Sequence, residues 1–426
     1  MFSLRKLQSK LIGLLPHEIR FSIIRQMIHI HDESINGFRF MVATTKDEIE
    51  QGFELLYDSY LNEGLMDANQ TQLRITKYHL LPSSTMIIAK KGKEVVATVT
   101  HILDSSFGLP VETNVDLKAF KAGKKRVAEI SALAIKKRFR RNHSLLFGLT
   151  RFLYFFAVEN LGATHWIICI NKKVSDYYKA IFFFNTIIED FKYDFVNCSH
   201  SSVLYCDLQA QQNLFFNHYG QLSKSKNLYA FYNDLNRNKL HLLPEGNYKT
   251  ASLPILNPDM LNYFFNHKAA IIQNLSENEK KDILNSYADP TYEAVVSILE
   301  KNQGERRRYA RRIVNLTGFY INKYTNSIHS IFIANVSMVG LLIYCPVPIQ
   351  KGDLIKLQID ISADEKIPIE AEVAAIVQSG KFAVKLHPDE NPQWETYINN
   401  LEEYIKSYSL KPKAKSEIKS KRRKTS

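Results

Sequence analysis

The sequence predicts an α/β fold, a mixed sheet with helices on both faces, followed by a smaller β-barrel. Three observations carry this. Between residues 38 and 208, β-rich runs alternate with helical ones: FRFMVAT, KDEIEQGFELLYDSYLNEG, then the pair TMIIAKKG and KEVVATVTHILD. Strands interleaved with amphipathic helices place helices on both faces of a sheet. Near the C-terminus come six short alternating runs, RIVNLTGFYIN, SIFIANVS, GLLIYC, LIKLQIDIS, IEAEVAAIVQSG and KFAVKLH, spaced as in a small barrel. A chain of 426 residues that is 45% apolar can fill more than one core.

Composition narrows the function. The formal charge is +13, but residues 411–426 hold eight cations and one glutamate, so that tail alone supplies +7. The basicity is therefore not that of a DNA-binding fold, and no specific nucleic-acid binding is expected. Cys169, Cys198, Cys206 and Cys345 have no CxxC spacing, which fits a reduced cytoplasmic protein with no metal site. No apolar run approaches the length of a membrane-spanning helix.

In chain order, residues 1–37 form a basic amphipathic segment. Phe2, Leu4, Leu7, Leu11, Leu14 and Leu15 approximate helical spacing, with Arg5, Lys6 and Lys10 between them. It is a candidate for peripheral contact with the inner membrane, or for packing on its own domain. Residues 38–208 are the α/β domain, 209–288 a helical extension, 289–304 a linker, 305–408 the barrel unit and 409–426 a basic tail. In the extension, Asn257-Pro258 marks a helix start and SENEKK (276–281) a capping box. The α/β domain is organised around residues 126–149: a buried strand VAEISALAI, a loop KKRFRR with five cations in six residues, and a helix opened by Asn142. Strand, basic loop and helix N-terminus in that order suit a phosphate. Glu129 lies inside the apolar strand, where an unpaired carboxylate is costly, so it is a candidate for a raised pKa and proton transfer.

This order resembles the Gcn5-related N-acetyltransferase (GNAT) fold and, within it, the acyl-homoserine-lactone synthases. It is most similar to the FeeM-type N-acyl amino acid synthases. The resemblance is carried by YLNEG, YHLLP, DSSFGLP (104–110), AEISALAI, RRNHSLLFGL and the run LPILNPDMLNYFF to NSY (253–287), and covers about residues 38–287. It implies transfer of a fatty acyl group from an acyl carrier protein to the amine of an amino acid. Glu129 matches the glutamate that takes the amine proton, directly or through a water, and Ser131 would bind substrate on the same face. Backbone N–H groups at the splayed strand end would hold the oxyanion.

Acetyltransferases of this fold place R-x-x-G-x-G in the basic loop. Here Arg140 keeps the first place, but His143 and Leu145 occupy the glycine places. Close backbone approach to a coenzyme A diphosphate is then disfavoured, whereas the single phosphate of a phosphopantetheine arm demands less. Arg138, Arg140, Arg141, Asn142 and His143 are the expected donor-binding residues. With Lys136 and Lys137, the loop arginines would form a docking patch for an acidic carrier protein, extended by KAGKKR (121–126). Phe152, Tyr154, Phe155 and Phe156 with residues 182–184 are a candidate aromatic wall for the acyl chain. No resident cofactor is expected.

Two motifs mark the barrel unit. GERRRYARR (304–312) holds Arg307 and Arg311 at R-x-x-x-R spacing, with Arg306 in front, and NVSMVG (335–340) supplies Asn335, Ser337 and Gly340. Together they resemble a PilZ domain, whose ligand is cyclic di-GMP. Guanidinium forks pair with phosphates and guanine edges and stack on purine faces. The expected protein is thus an N-acyltransferase regulated by cyclic di-GMP. One alternative is an acyl-homoserine-lactone synthase, disfavoured because those enzymes are much shorter and carry S-R-F where this chain has Ser131, Ala132 and Leu133. The other is a non-catalytic cyclic di-GMP effector with a degenerate acyltransferase fold.

Overall fold

The computed structural model describes residues 15–30, 37–123, 125–140, 143–233, 256–284, 286–287, 312–322, 325–361, 365–378, 380–387 and 391–409. A seven-stranded sheet runs in the order β1-β2-β3-β4-β5-β7-β6. Its strands are β1 (Arg39–Val42), β2 (Ser84–Lys91), β3 (Glu94–Leu103), β4 (Val127–Ile135), β5 (His165–Asn171), β6 (Asn185–Tyr193) and β7 (Ser199–Asp207). Every neighbouring pair is antiparallel except β4 and β5. That parallel pairing covers only Val127–Ile130 against His165–Ile168, after which the two strands part.

Most of β6 was not legible in the sequence, where only a strand-like end to the preceding helix is expected. It is an edge strand whose residues are mostly exposed or half-buried, so Glu189, Asp190 and Lys192 interrupt the apolar signal.

Helices cover both faces, as expected. On one face lie α2 (Lys46–Asn62) and the extension between residues 256 and 287, with a short helix Pro258–Asn262 and α7 (Glu277–Leu284). Thr45 and Glu48 form a capping box at the start of α2, and Phe53 and Leu56 carry its apolar side into the core. Phe264 meets Phe53 edge-on at 5.5 Å. Asn257 caps its helix by accepting from the Met260 N–H, and Ser276 and Glu279 cap each other at α7, both as expected. On the other face lie α3 (His143–Phe155), α4 (Ser175–Phe182), α5 (Leu208–Tyr219) and α6 (Leu228–Asn233).

The described part of the N-terminal segment, α1 (His17–Gln26) and the residues after it, packs on this second face. Arg20 pairs with Asp176 at 3.0 Å, Arg25 donates to the Ala180 carbonyl, and Ile28 and Ile30 are buried. Residues 2–14, the candidate membrane-surface stretch, lie outside the described residues. Removing residues 1–37 is expected to lower the melting temperature by several degrees relative to removing 1–14, because only the longer cut exposes Ile28 and Ile30. Equal melting curves would show that α1 adds nothing to stability.

The C-terminal unit is a closed six-stranded barrel in the order β10-β13-β12-β11-β8-β9. Its strands are β8 (Arg312–Ile321), β9 (Ile328–Ser337), β10 (Gly340–Tyr344), β11 (Leu354–Asp360), β12 (Lys366–Gln378) and β13 (Lys381–Leu386), matching the six alternating runs. The sequence reading did not contain the helix α8 (Pro392–Ser409), whose Trp394 and Ile398 join the barrel core. Among the described residues no helix is long and apolar enough to cross a membrane.

Among the described residues the barrel meets the α/β domain and its helical extension at two places. Ser330 of β9 donates to the carbonyls of Gly123 and Lys125, immediately before β4. Arg126 and Asp360 of β11 line one small cavity between the units. Burial pulls Arg126 down to about 10, against the opposing pull of the Asp360 carboxylate. At the second place, Asp282 of α7 accepts from Tyr344 at 3.5 Å and pairs with Lys381 at 3.7 Å.

Candidate active site

Glu129 is the third residue of β4 and is 1% exposed. Among the described residues one polar contact reaches its carboxylate: the Val111 N–H donates to Oε2 at 2.9 Å. Val111 belongs to a turn, Pro110–Thr113, that is itself anchored. Glu112 accepts from the Leu109 N–H, and Lys121 bridges Glu112 and Asp104 at 2.7 Å each. Lys121 therefore faces inward and does not extend the surface patch, because two partly or wholly buried carboxylates claim it. Burial pushes the Glu129 carboxyl up to about 8; the Val111 N–H opposes this and the negative charge of Glu112 adds to it. A base that holds its proton near neutrality and sits where substrate can reach it is suited to proton transfer.

Access comes from the parting of β4 and β5. Beyond Ile130 the two strands share no hydrogen bonds, and the gap opens into a cavity of about 270 Å³. A bulge in β4 contributes. Ser131 pairs with Thr100 and Ala134 with Thr98, and Ala132 between them takes a left-handed conformation with φ +53°. Ala132 lines the cavity at the point where β4 no longer pairs with β5. Glu129 and Ser131 both line this cavity, so the two residues expected to share chemistry are brought together.

The cavity passes between strands into the opposite face. Tyr60 of α2, Tyr193 and Phe195 border its Glu129 side, and Trp166, Phe215 and Tyr232 border the other. The aromatic wall read from sequence is only partly right. Phe182 and Phe184 line the cavity, but Phe152 and Phe156 are packed into the core and Tyr154 is bonded by Gln212. The missed liners come from α2, β5, α5 and α6, each an ordinary amphipathic or strand pattern on its own. Cys169 lines the cavity as well, but burial pushes its thiol far up, so it is no thiolate nucleophile.

The basic loop lies next to a second depression, lined by Asp58 and Asn62 of α2, by Glu63 just after it, and by Lys136, Lys137, Arg138 and Arg140. Its cations are held by nearby acids. Glu94 pairs with Lys136 at 2.7 Å and with Arg138, while Arg140 binds Glu63 at 2.7 Å and the Ser59 hydroxyl at 3.0 Å. These pairs are at the surface and worth at most about 1 kcal/mol each, so an incoming anion can exchange with them. His143 is the first residue of α3; Arg141 and Asn142 lie outside the described residues.

In the barrel, Asn335, Ser337 and Gly340 fall on one β9–β10 hairpin. Ser337 is buried, its hydroxyl donates to the Gly340 carbonyl at 3.2 Å, and its own carbonyl accepts from the Trp394 indole. A Cβ on Gly340 would come within 3.0 Å of the Val384 carbonyl, so the glycine permits close strand contact. Arg306, Arg307 and Arg311 lie outside the described residues. Arg312, the next in chain, pairs with Val336, between Asn335 and Ser337. No group of His, Cys, Asp or Glu among the described residues could hold a metal ion.

Residues 51–206 match the family model described as N-acyl amino acid synthase FeeM. The matched span runs from α2 to β7 and contains Glu129, Ser131 and the basic loop. Among solved structures, FeeM from uncultured soil microbes aligns at 18% identity and a TM-score of 0.37, covering 41% of this chain and 93% of its own. A CoA-dependent acyl-homoserine lactone synthase, BjaI, aligns at 14% identity and 0.32, covering 46% and 98%. The PilZ domain of YcgR from Escherichia coli, with c-di-GMP, aligns at 15% identity and 0.21, covering 25% and 98%. No curated protein sequence matches the chain.

Proposed function

We propose that this chain is an N-acyl amino acid synthase that takes its fatty acyl group from an acyl carrier protein and is regulated by cyclic di-GMP. The observation that carries the reading is Glu129: a buried carboxyl, pushed up to about 8, on the wall of a through-sheet apolar cavity within the segment matching the FeeM model. The acyl chain fits the apolar side of the cavity and the thioester carbonyl the bulge at Ala132. The acceptor amine attacks that carbonyl, its lost proton passes to Glu129, and the C–N bond forms. Collapse of the oxyanion, held by backbone N–H groups, breaks the C–S bond, and the departing phosphopantetheine sulfur takes the proton back from Glu129 to leave as a thiol. Transfer is direct, because Cys169 is held as a neutral thiol. The test is incubation of the purified protein with acyl-acyl carrier protein and amino acids, followed by mass spectrometry of the lipid product. Absence of any N-acyl amino acid with every donor and acceptor pair would reject the reading.

The carrier protein is favoured as donor by the missing loop glycines and by surface cations whose ion pairs are exchangeable. Replacing Arg140 and Arg141 by Glu is expected to raise KM for the acylated carrier at least tenfold and to flatten its salt dependence. Equal or better turnover of acyl-coenzyme A by the unaltered protein would overturn this choice. Cyclic di-GMP is assigned to the arginine cluster at residues 306–311 and the hairpin bearing Asn335; the reading is supported by Arg312, which follows that cluster in the chain and pairs with Val336 of the hairpin.

A further inference from the structure

Arg74 contacts Tyr60 and Phe195, two residues that line the Glu129 cavity, and among the described residues no acid balances it. It follows the loop after α2, and its backbone N–H bonds the Phe53 carbonyl of that helix at 3.2 Å. Its guanidinium lies 4.0 Å over the Tyr60 ring and 5.4 Å from the Phe195 ring, and donates to the Phe195 carbonyl at 3.3 Å. Tyr60 and Phe195 both line the cavity on the side of Glu129. Arg74 is half-buried, yet among the described residues no carboxylate forms an ion pair with it. The other cations near the site differ: Lys121 is held by Asp104 and Glu112, and the loop cations by Glu63 and Glu94.

A partly desolvated cation with no internal counter-charge is costly unless a ligand supplies one. The Tyr60 ring covers one side of the guanidinium, and of its five N–H donors the Tyr60 side chain and the Phe195 carbonyl take fewer than all, so two remain to grip the oxygens of a carboxylate. On the proposed reaction, the acceptor amine must reach the carbonyl beside Glu129. In an α-amino acid a carboxylate sits one carbon from that amine, so it enters the same pocket and needs a cation close by.

We infer that Arg74 binds the acceptor's α-carboxylate, so that the site selects amino acids over plain amines. The inference rests on the acyltransferase reading. Arg74 orients the acceptor; Glu129 takes its proton. The stacking tyrosine holds the guanidinium in place, which assigns Tyr60 a positioning role. The carbonyl of Phe195 fixes one N–H and directs the remaining edge.

The experiment measures acyl transfer to the twenty standard amino acids and, for the best of them, to the matching amine that lacks the carboxylate. The unaltered protein is expected to favour the amino acid at least tenfold in kcat/KM. In Arg74→Met, KM for the amino acid should rise about 10- to 100-fold while kcat/KM for the amine hardly moves, and Arg74→Lys should recover part of the loss. Equal loss with both acceptors would make Arg74 a structural clamp and overturn the inference, while leaving acyl transfer intact. So would an unaltered protein that acylates the plain amine as well as the amino acid. Should Arg74→Met fail to fold, the acceptor comparison in the unaltered protein decides alone. Transfer to neither acceptor would instead reject the synthase reading itself.

Discussion

Glu129→Gln is expected to lower acyl transfer by two to four orders of magnitude, the usual scale for a positioned base. The amide keeps the shape of the side chain and cannot take the amine proton. Single-turnover rates with acylated carrier protein measure this, and a variant with near-unaltered turnover would remove Glu129 from the mechanism. The pH dependence carries a second signature. Burial pushes the carboxyl up to about 8, so the reactive, deprotonated form is the minor one at pH 7. The kcat/KM of the unaltered protein should therefore climb with pH until about 8 and then level on that limb. Stability moves the other way. The folded-state pKa is raised above the ordinary value of 4.5, so the protonated carboxyl's contribution is fully present below about 4.5 and is lost as pH rises to about 8. Glu129→Gln lacks that titration and should be the more stable protein above pH 8, by a few kcal/mol. Denaturant curves of both proteins at pH 5 and pH 9 test the sign.

Cyclic di-GMP is expected to bind the barrel at micromolar concentration or tighter and to change the acyl-transfer rate several-fold, a coupling of about 1–3 kcal/mol. Regulation needs a ligand that favours one of two arrangements of barrel and α/β domain, and the described residues show contacts between them. Ser330 holds the carbonyls of Gly123 and Lys125, and Arg126 lines a cavity with Asp360. Val127 then starts β4, and Glu129 is the third residue of that strand. A barrel that shifts on binding nucleotide would move the start of the strand that carries Glu129. The second contact, Tyr344 and Lys381 on Asp282, reaches the extension that packs against α2. Arg307→Ala with Arg311→Ala should abolish nucleotide binding, so that turnover no longer depends on nucleotide concentration. Ser330→Glu should keep binding and lose the response. Binding by the unaltered protein with no change in turnover at any concentration would show that the barrel does not regulate the enzyme.

Local chemistry was enough to single out Glu129, because a carboxylate inside VAEISALAI is costly wherever that strand lies. The six barrel strands, the helix start at Asn257 and the capping box at Ser276 are legible for the same reason: alternation and caps are read within a few residues. What the tertiary structure decided is which elements meet. The parting of β4 from β5 after Ile130 makes the cavity, yet nothing in either strand names its neighbour. Tyr60 and Tyr232 line one cavity from α2 and α6, far apart in sequence, and each looks like core in its own helix. The loop cations read as a free patch because Glu63 and Glu94, which hold Lys136, Arg138 and Arg140, lie just after α2 and on β3. Arg74 was passed over for the converse reason: an arginine between two elements looks solvated until Tyr60 and Phe195 are seen to enclose it. Periodicity reports that a face is buried, whereas the identity of what buries it is set by packing between segments distant in the chain.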